Sequence, residues 1–247
     1  MHPIEISESA GIRSLHFGSD WVQGAMRIAR PDAPVLEYTQ LMLASLLMRE
    51  HGEQLQRGPR SAVLIGLGAG TLAKFIHRYA PNCRVTVVEI NPQVEFVARQ
   101  YFKLPPTSPR FNIQIACGAD YLARSKHCFD LILVDGFAPD GQVGALATAD
   151  FYHHCRARLT SKGVFCVNVL RETGWREQIA AIERAFSQQC SVFPPCTSGN
   201  TLVFGRGEEA VTLDPDTLKT RMDALQKHSR LALSGLLKAF AENGISF

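Results

Sequence analysis

An unbroken apolar run, Ala62-Val63-Leu64-Ile65, ends in Gly66-Leu67-Gly68-Ala69-Gly70 and leads straight into Thr71–Tyr79, which holds neither glycine nor proline. This sequence of strand, glycine turn and helix constrains the fold more than anything else in the chain. A short apolar run bounded by turn residues fits a strand covered on both faces. Glycines at its end permit a tight turn with positive φ, and the following helix start offers unpaired N–H groups to a ligand. The alternation then repeats. Arg84–Glu89 reads as a strand, 92–102 as a helix, Phe111–Ile115 as a strand and 120–124 as a short helix. Phe129–Val134 is a fourth strand, 151–159 a helix and 163–169 a fifth strand. Continuous apolar strands separated by helices predict a parallel sheet covered on both faces, and right-handed crossovers make it a doubly wound, Rossmann-like α/β domain.

The two ends follow other patterns. Residues 4–7 and Ile12–Phe17 alternate as short strands around a turn near Gly11, and Gly18-Ser19-Asp20 turns the chain into a third short strand at Trp21-Val22-Gln23. Such a β-hairpin unit is too slight to fold alone. Residues 38–48 follow Pro31 and Pro34 and read as a helix. At the other end, Asp214-Pro215 opens a helix through Lys227, with Leu218, Met222 and Leu225 at helical spacing, and a further helix is expected over 231–242. The expected organisation is an N-terminal hairpin and gate helix (1–50), a nucleoside-cofactor domain (51–207) and a C-terminal helical extension (208–247).

Composition narrows the class. Lys+Arg 26 against Asp+Glu 23 gives +3 with no basic stripe, which argues against a nucleic-acid partner. No apolar stretch approaches the ~20 residues of a membrane span, and the opening MHPIEISE lacks the pattern of a secretory signal. Seven cysteines with no C-x-x-C pair fit neither a disulfide framework nor a zinc ribbon. The histidines at 16, 77, 153 and 154 show no metal-ligand spacing with carboxylates, so no metal is expected. A reduced, cytoplasmic protein is the resulting expectation.

Glu89 closes the second parallel strand, 23 residues after Gly66. A carboxylate there can accept both hydroxyls of a ribose, as NAD, nucleosides and S-adenosylmethionine would require. The dinucleotide fingerprint G-x-G-x-x-G/A fails at its sixth position, which is Thr71, and no G-K-[ST] follows. G-x-G-x-G suits a sulfonium nucleoside, which brings no pyrophosphate to the helix.

Four segments, VLIGLGAGTLAKF, VTVVEINPQVEFVARQYF, FDLILVDGFAPDG and FYHHCRARLTSKGVFCVNV, occur in the order seen in spermidine synthase-like proteins. DWVQGAM and PVLEYTQLML resemble that family's strand-and-gate segment, so the resemblance covers about residues 12–205. It implies a class I methyltransferase-like fold and transfer of an aminopropyl group from decarboxylated S-adenosylmethionine to a small-molecule amine, with no metal and as a homodimer. Gly66, Gly68, Gly70 and Glu89 would hold the nucleoside. Gln23 matches a glutamine lining the family's site, and Cys117 with Gly118 falls beside its adenine position. Asp135 matches the first Asp of the D-S-S/T-D-P motif, the proton acceptor, and Tyr38 matches a gate tyrosine that orients the acceptor amine. Asp120 follows the third strand and reads as either a cofactor contact or a helix N-cap.

The departures concern acids. The family has Asp where this chain has Ala69 and Cys117, a second acceptor-site acid near Ala138, and a histidine at Thr39; Asp140 lies two residues beyond Ala138. Losing acids weakens selection for a polycation and for the decarboxylated donor. An S-adenosylmethionine-dependent methyltransferase and a non-catalytic nucleoside-binding protein are therefore the alternatives.

Overall fold

The computed structural model describes residues 3–19, 21–48, 58–137, 144–171, 174–187, 189–209, 215–229 and 231. Ala138, Asp140 and all but the first residue of the helix expected over 231–242 lie outside the described residues. The chain opens with three antiparallel strands, β1 (Ile4–Ser9), β2 (Ile12–Phe17) and β3 (Gly24–Arg27). The third strand is 24–27, not 21–23. Trp21 and Val22 remain 51% and 41% exposed, while Gly24, Ala25 and Met26 are buried, so the buried face begins after the segment that looks most strand-like. Helix α1 (Glu37–Met42) continues as a 3-10 turn over Leu43–Leu46.

Next come β4 (Ser61–Ile65), α2 (Thr71–Tyr79), β5 (Arg84–Glu89), α3 (Pro92–Tyr101), β6 (Phe111–Ile115), α4 (Gly118–Arg124) and β7 (Phe129–Val134). They are followed by α5 (Ala149–Ala157), β8 (Leu159–Leu170), α6 (Trp175–Ala185), β9 (Cys190–Val192), β10 (Asn200–Arg206) and α7 (Pro215–Ser229). Seven strands form one sheet in the order β6-β5-β4-β7-β8-β10-β9. The order reverses beside β4, the crevice where doubly wound sheets take their ligands.

The sheet is mixed rather than wholly parallel. β10 runs antiparallel to both β8 and β9, because β9 and β10 are joined as a hairpin and β10 slots between β8 and β9. A strand buried on both faces carries no mark of its direction. Helix α6 and strands β9 and β10 extend the domain beyond the five expected strands.

Strand β4 explains the two-sided core. Val63 and Ile65 face a cluster with Leu122 of α4, Phe151 and Tyr152 of α5, and Ile182 of α6. Ala62 and Leu64 face the other cluster, with Phe75 and Ile76 of α2, Val94 and Ala98 of α3, and Leu218, Met222 and Leu225 of α7. Each fully buried side chain of this size stabilises by about 1.5–3 kcal/mol. The tail helix thus covers the same sheet face as α2 and α3. The N-terminal sheet packs Leu15 and Met26 against Ala69 and Phe102, above the glycine turn.

Candidate active site

The turn after β4 is shaped by glycine. Gly66 has φ +97°, and a Cβ there would lie 2.2 Å from the carbonyl oxygen of Asp135. The close approach seats Asp135, at the end of β7, directly against the turn. Gly70 has φ +67° and forms the N-cap of α2. It lines neither cavity described below, although its neighbours Ala69 and Thr71 both line the smaller one.

Two adjoining cavities open at this end of the sheet. The larger, about 650 Å³, is lined by Gly66, Gly68, Glu89, Cys117, Gly118, Gln23, Tyr38 and Asp135, among others. Ile4 and Phe17 of the N-terminal sheet and Leu146 close its apolar walls. The smaller, about 30 Å³, lies between Gln23, Tyr38, Thr39, Ala69 and Asp135. No lysine, arginine or histidine lines either cavity among the described residues, whereas Glu89 lines the larger and Asp135 lines both.

Glu89 is a buried knot. Its Oε2 accepts the Leu67 N–H at 3.0 Å and its Oε1 accepts the Asn91 N–H at 2.8 Å. One carboxylate thereby ties the glycine turn to the start of α3. Each oxygen keeps a lone pair for a further donor, as a ribose diol would supply. Burial raises the Glu89 carboxyl above its ordinary range, and the backbone N–H groups oppose that rise.

Asp135 accepts hydrogen bonds from the Tyr38 hydroxyl and from Asn168 Nδ2, the latter at 3.0 Å. Desolvation pushes its carboxyl up to about 6, against the lowering effect of these two donors. Tyr38 is raised well above the usual tyrosine range by desolvation and then by the Asp135 charge, so its hydroxyl stays protonated as a donor. A carboxyl in that range is ionised at neutral pH yet basic enough to accept a proton.

Other residues fall elsewhere. Asp120 is exposed in the first turn of α4; Cys117 occupies the N-cap position, and Asp120 lines neither cavity. Ala69 sits with Leu15, Met26 and Phe102 as well as beside the smaller cavity. Thr39 is buried and donates to the Leu36 carbonyl at 2.7 Å. Among the described residues, no group of histidine, cysteine, aspartate and glutamate is arranged to hold a metal ion. Sequence reasoning missed Asn168, although an amide within Val164-Phe165-Cys166-Val167-Asn168-Val169 interrupts an otherwise apolar strand and was a usable signal.

The family model for the spermine/spermidine synthase domain matches residues 37–199, the span that holds Tyr38, the glycine turn, Glu89, Asp135 and Asn168. The chain belongs to this family. It is 37% identical to a polyamine aminopropyltransferase of Chromobacterium violaceum over 229 residues, covering 92% of this chain and 84% of that protein. A probable spermidine synthase from Corynebacterium glutamicum shares the fold at TM-score 0.72 and 19% identity, over 90% of this chain and 83% of that one. Human methyltransferase-like protein 13, solved in complex with SAH, matches at TM-score 0.69 and 26% identity, over 78% of this chain and 93% of that one. The family membership agrees with the doubly wound, class I methyltransferase-like architecture.

Proposed function

We propose that the chain transfers an aminopropyl group from decarboxylated S-adenosylmethionine to a diamine or related small amine, in polyamine biosynthesis. The observation that carries this reading is the pairing of Asp135 with Tyr38 on cavities that two acids line and no described cation does. The polyamine aminopropyltransferase relative, similar over most of both chains, supports it.

In this reaction the amine lone pair forms a C–N bond as the C–S bond of the sulfonium breaks. A neutral thioether, 5′-methylthioadenosine, leaves. The new ammonium must then lose a proton, and Asp135 is the group placed to accept it. Tyr38 orients the acceptor, while Gln23, Gly66, Gly68, Glu89, Cys117 and Gly118 hold the nucleoside, with Gly70 setting the turn that presents them. Ile4, Phe17 and Leu146 keep water from the transfer, which matters because a desolvated neutral amine is the nucleophile. A homodimer and a cytoplasmic location belong to the same reading by family resemblance. No helix among the described residues is long and apolar enough to cross a membrane.

The second reading, methyl transfer, is favoured by Ala69, which leaves no acid at that position for an aminopropyl ammonium, and by the likeness to methyltransferase-like protein 13. Calorimetric titration separates the two. Intact S-adenosylmethionine adds an α-carboxylate to a site lined by two acids and by no described cation, a like-charge arrangement that costs affinity. The decarboxylated donor is expected to bind at least about tenfold more tightly than the intact one, a difference of roughly 1.4 kcal/mol. Equal or tighter binding of the intact form contradicts the aminopropyl reading. Failure of both donors and of 5′-methylthioadenosine to bind favours a protein without this catalysis.

A further inference from the structure

Asp135 ends a chain of side-chain hydrogen bonds that runs well beyond the cavity. Val134 is in register with Val167, which sets Asp135 level with Asn168 on the neighbouring β8. Asn200 opens β10 opposite Leu170, diagonal to Asn168 on the same sheet face. Asn168 Nδ2 donates to Asp135 Oδ1 at 3.0 Å, Asn200 Nδ2 donates to Asn168 Oδ1 at 2.9 Å, and Ser198 Oγ donates to Asn200 Oδ1. The next residue back, Thr197, donates its N–H to Glu37 Oε2 at 2.8 Å, and its hydroxyl donates to the same oxygen. Glu37 adjoins Tyr38 in α1, and the Tyr38 hydroxyl returns to Asp135. Both amides are nearly inaccessible, Asn168 at 2% and Asn200 at 6% exposure.

We propose that Asn168 and Asn200 are positioning residues, an amide relay that holds the Asp135 carboxylate in its ionised, accepting state and couples it to the gate helix α1. The inference rests on the aminopropyl-transfer reading for its catalytic meaning. Its physical basis is the polarity of the chain of donors. An ionised carboxylate only accepts, so Asn168 must present its NH₂ to it and its oxygen to Asn200. Asn200 must then present its own NH₂, leaving its oxygen for the Ser198 hydroxyl. A protonated Asp135 would carry a donor of its own, and this chain has no acceptor turned toward it from Asn168. The relay therefore opposes the desolvation that would otherwise neutralise Asp135. Removing either amide weakens the ionised form, Asn168 by direct loss and Asn200 by freeing Asn168 to turn its oxygen toward Asp135.

The other titratable groups around Asp135 come from several elements. Tyr38 bonds it from α1, Cys166 faces it from β8 with Cys196 behind, and Glu89 lies across the larger cavity from β5. Desolvation and the Asp135 charge both push the Cys166 thiol up, so it stays neutral over the range of interest.

The test is a titration of the Asp135 carboxyl carbon by ¹³C NMR in the full chain, assigned by its loss in Asp135→Asn and made in the absence of substrates. Asn168→Leu and Asn200→Leu, close to asparagine in size, are compared with the wild type. The expected result is a midpoint about one pH unit higher in Asn168→Leu and a smaller upward shift in Asn200→Leu. The acid limb of kcat should move with it, leaving activity at high pH nearer to wild type than activity at pH 6. An unchanged midpoint in both variants overturns the proposal. A shift in Asn168→Leu without one in Asn200→Leu overturns the relay, because Asn168 would then act alone. Where Asn168→Leu does not fold, Asn200→Leu, one step removed from Asp135, decides by its own midpoint. Because the titration needs no turnover, a wild type that titrates as expected but transfers no aminopropyl group defeats the functional reading and not the relay.

Discussion

Asp135→Asn is expected to lower kcat for aminopropyl transfer by about 10²- to 10⁴-fold, the range for losing a positioned general base. Its affinity for 5′-methylthioadenosine should stay within about threefold, since nucleoside binding is assigned to the glycine turn and Glu89 and this is well under the ~1.4 kcal/mol of a tenfold change. The amide keeps the shape of the carboxylate and can still accept from Asn168 or Tyr38, so the fold should survive. Stability gives an independent check with a definite sign. The folded-state carboxyl is pushed up to about 6, above the ~3.9 of an unfolded aspartate, so the folded state binds the proton more tightly. Its contribution to stability is therefore fully present below about pH 4 and is lost as pH rises through about 6. Asp135→Asn removes that dependence. The variant should gain thermal stability relative to wild type at pH 8, and the gain should shrink as pH falls toward 4. Equal losses of turnover and nucleoside affinity, together with a lower melting temperature at pH 8, would mean that Asp135 is a structural strand-end acid.

The second large effect is expected at Glu89. Glu89→Gln replaces an oxygen that accepts from the backbone with an NH₂, so the N–H of Leu67 or of Asn91 meets a donor. A ribose diol loses a charged acceptor at the same time. Hydrogen bonds to charged groups contribute about 1.5–3 kcal/mol each, so affinity for 5′-methylthioadenosine should fall roughly 10- to 100-fold. The melting temperature should fall too, because the glycine turn loses its tie to α3. Calorimetry and thermal unfolding check both. Unchanged nucleoside affinity beside a lowered melting temperature would leave Glu89 as a tie between two turns and no more.

Why these positions were legible, and others were not, follows from the physics of the elements. β4, its glycine turn and Glu89 stand out because a buried parallel strand, a positive-φ turn and a strand-end acid each leave a local mark in composition. Asp135 was visible for the same reason, as the first polar residue after Leu131-Ile132-Leu133-Val134. The third N-terminal strand was misplaced because Trp21 and Val22 have high strand propensity yet lie exposed, while Gly24 and Ala25, poor strand formers, are the ones buried. The antiparallel β10 was invisible because burial on both faces erases alternation. Asn168 and Asn200 meet only through the β8–β10 register, a pairing across 32 residues that no local pattern encodes. Gly70 shows the converse: the turn is readable from its glycines, but which of them face a cavity depends on the folded backbone.

The central question is which alkyl group the sulfonium gives up. The most direct measurement is a product assay of the wild-type chain with putrescine as acceptor, offered decarboxylated S-adenosylmethionine in one reaction and the intact nucleoside in another, with both amine and nucleoside products identified by mass spectrometry. Spermidine and 5′-methylthioadenosine are expected in equal amounts from the decarboxylated donor, with no methylated amine from the intact one. Methylated product with S-adenosylhomocysteine, in the absence of any aminopropyl product, would contradict aminopropyl transfer.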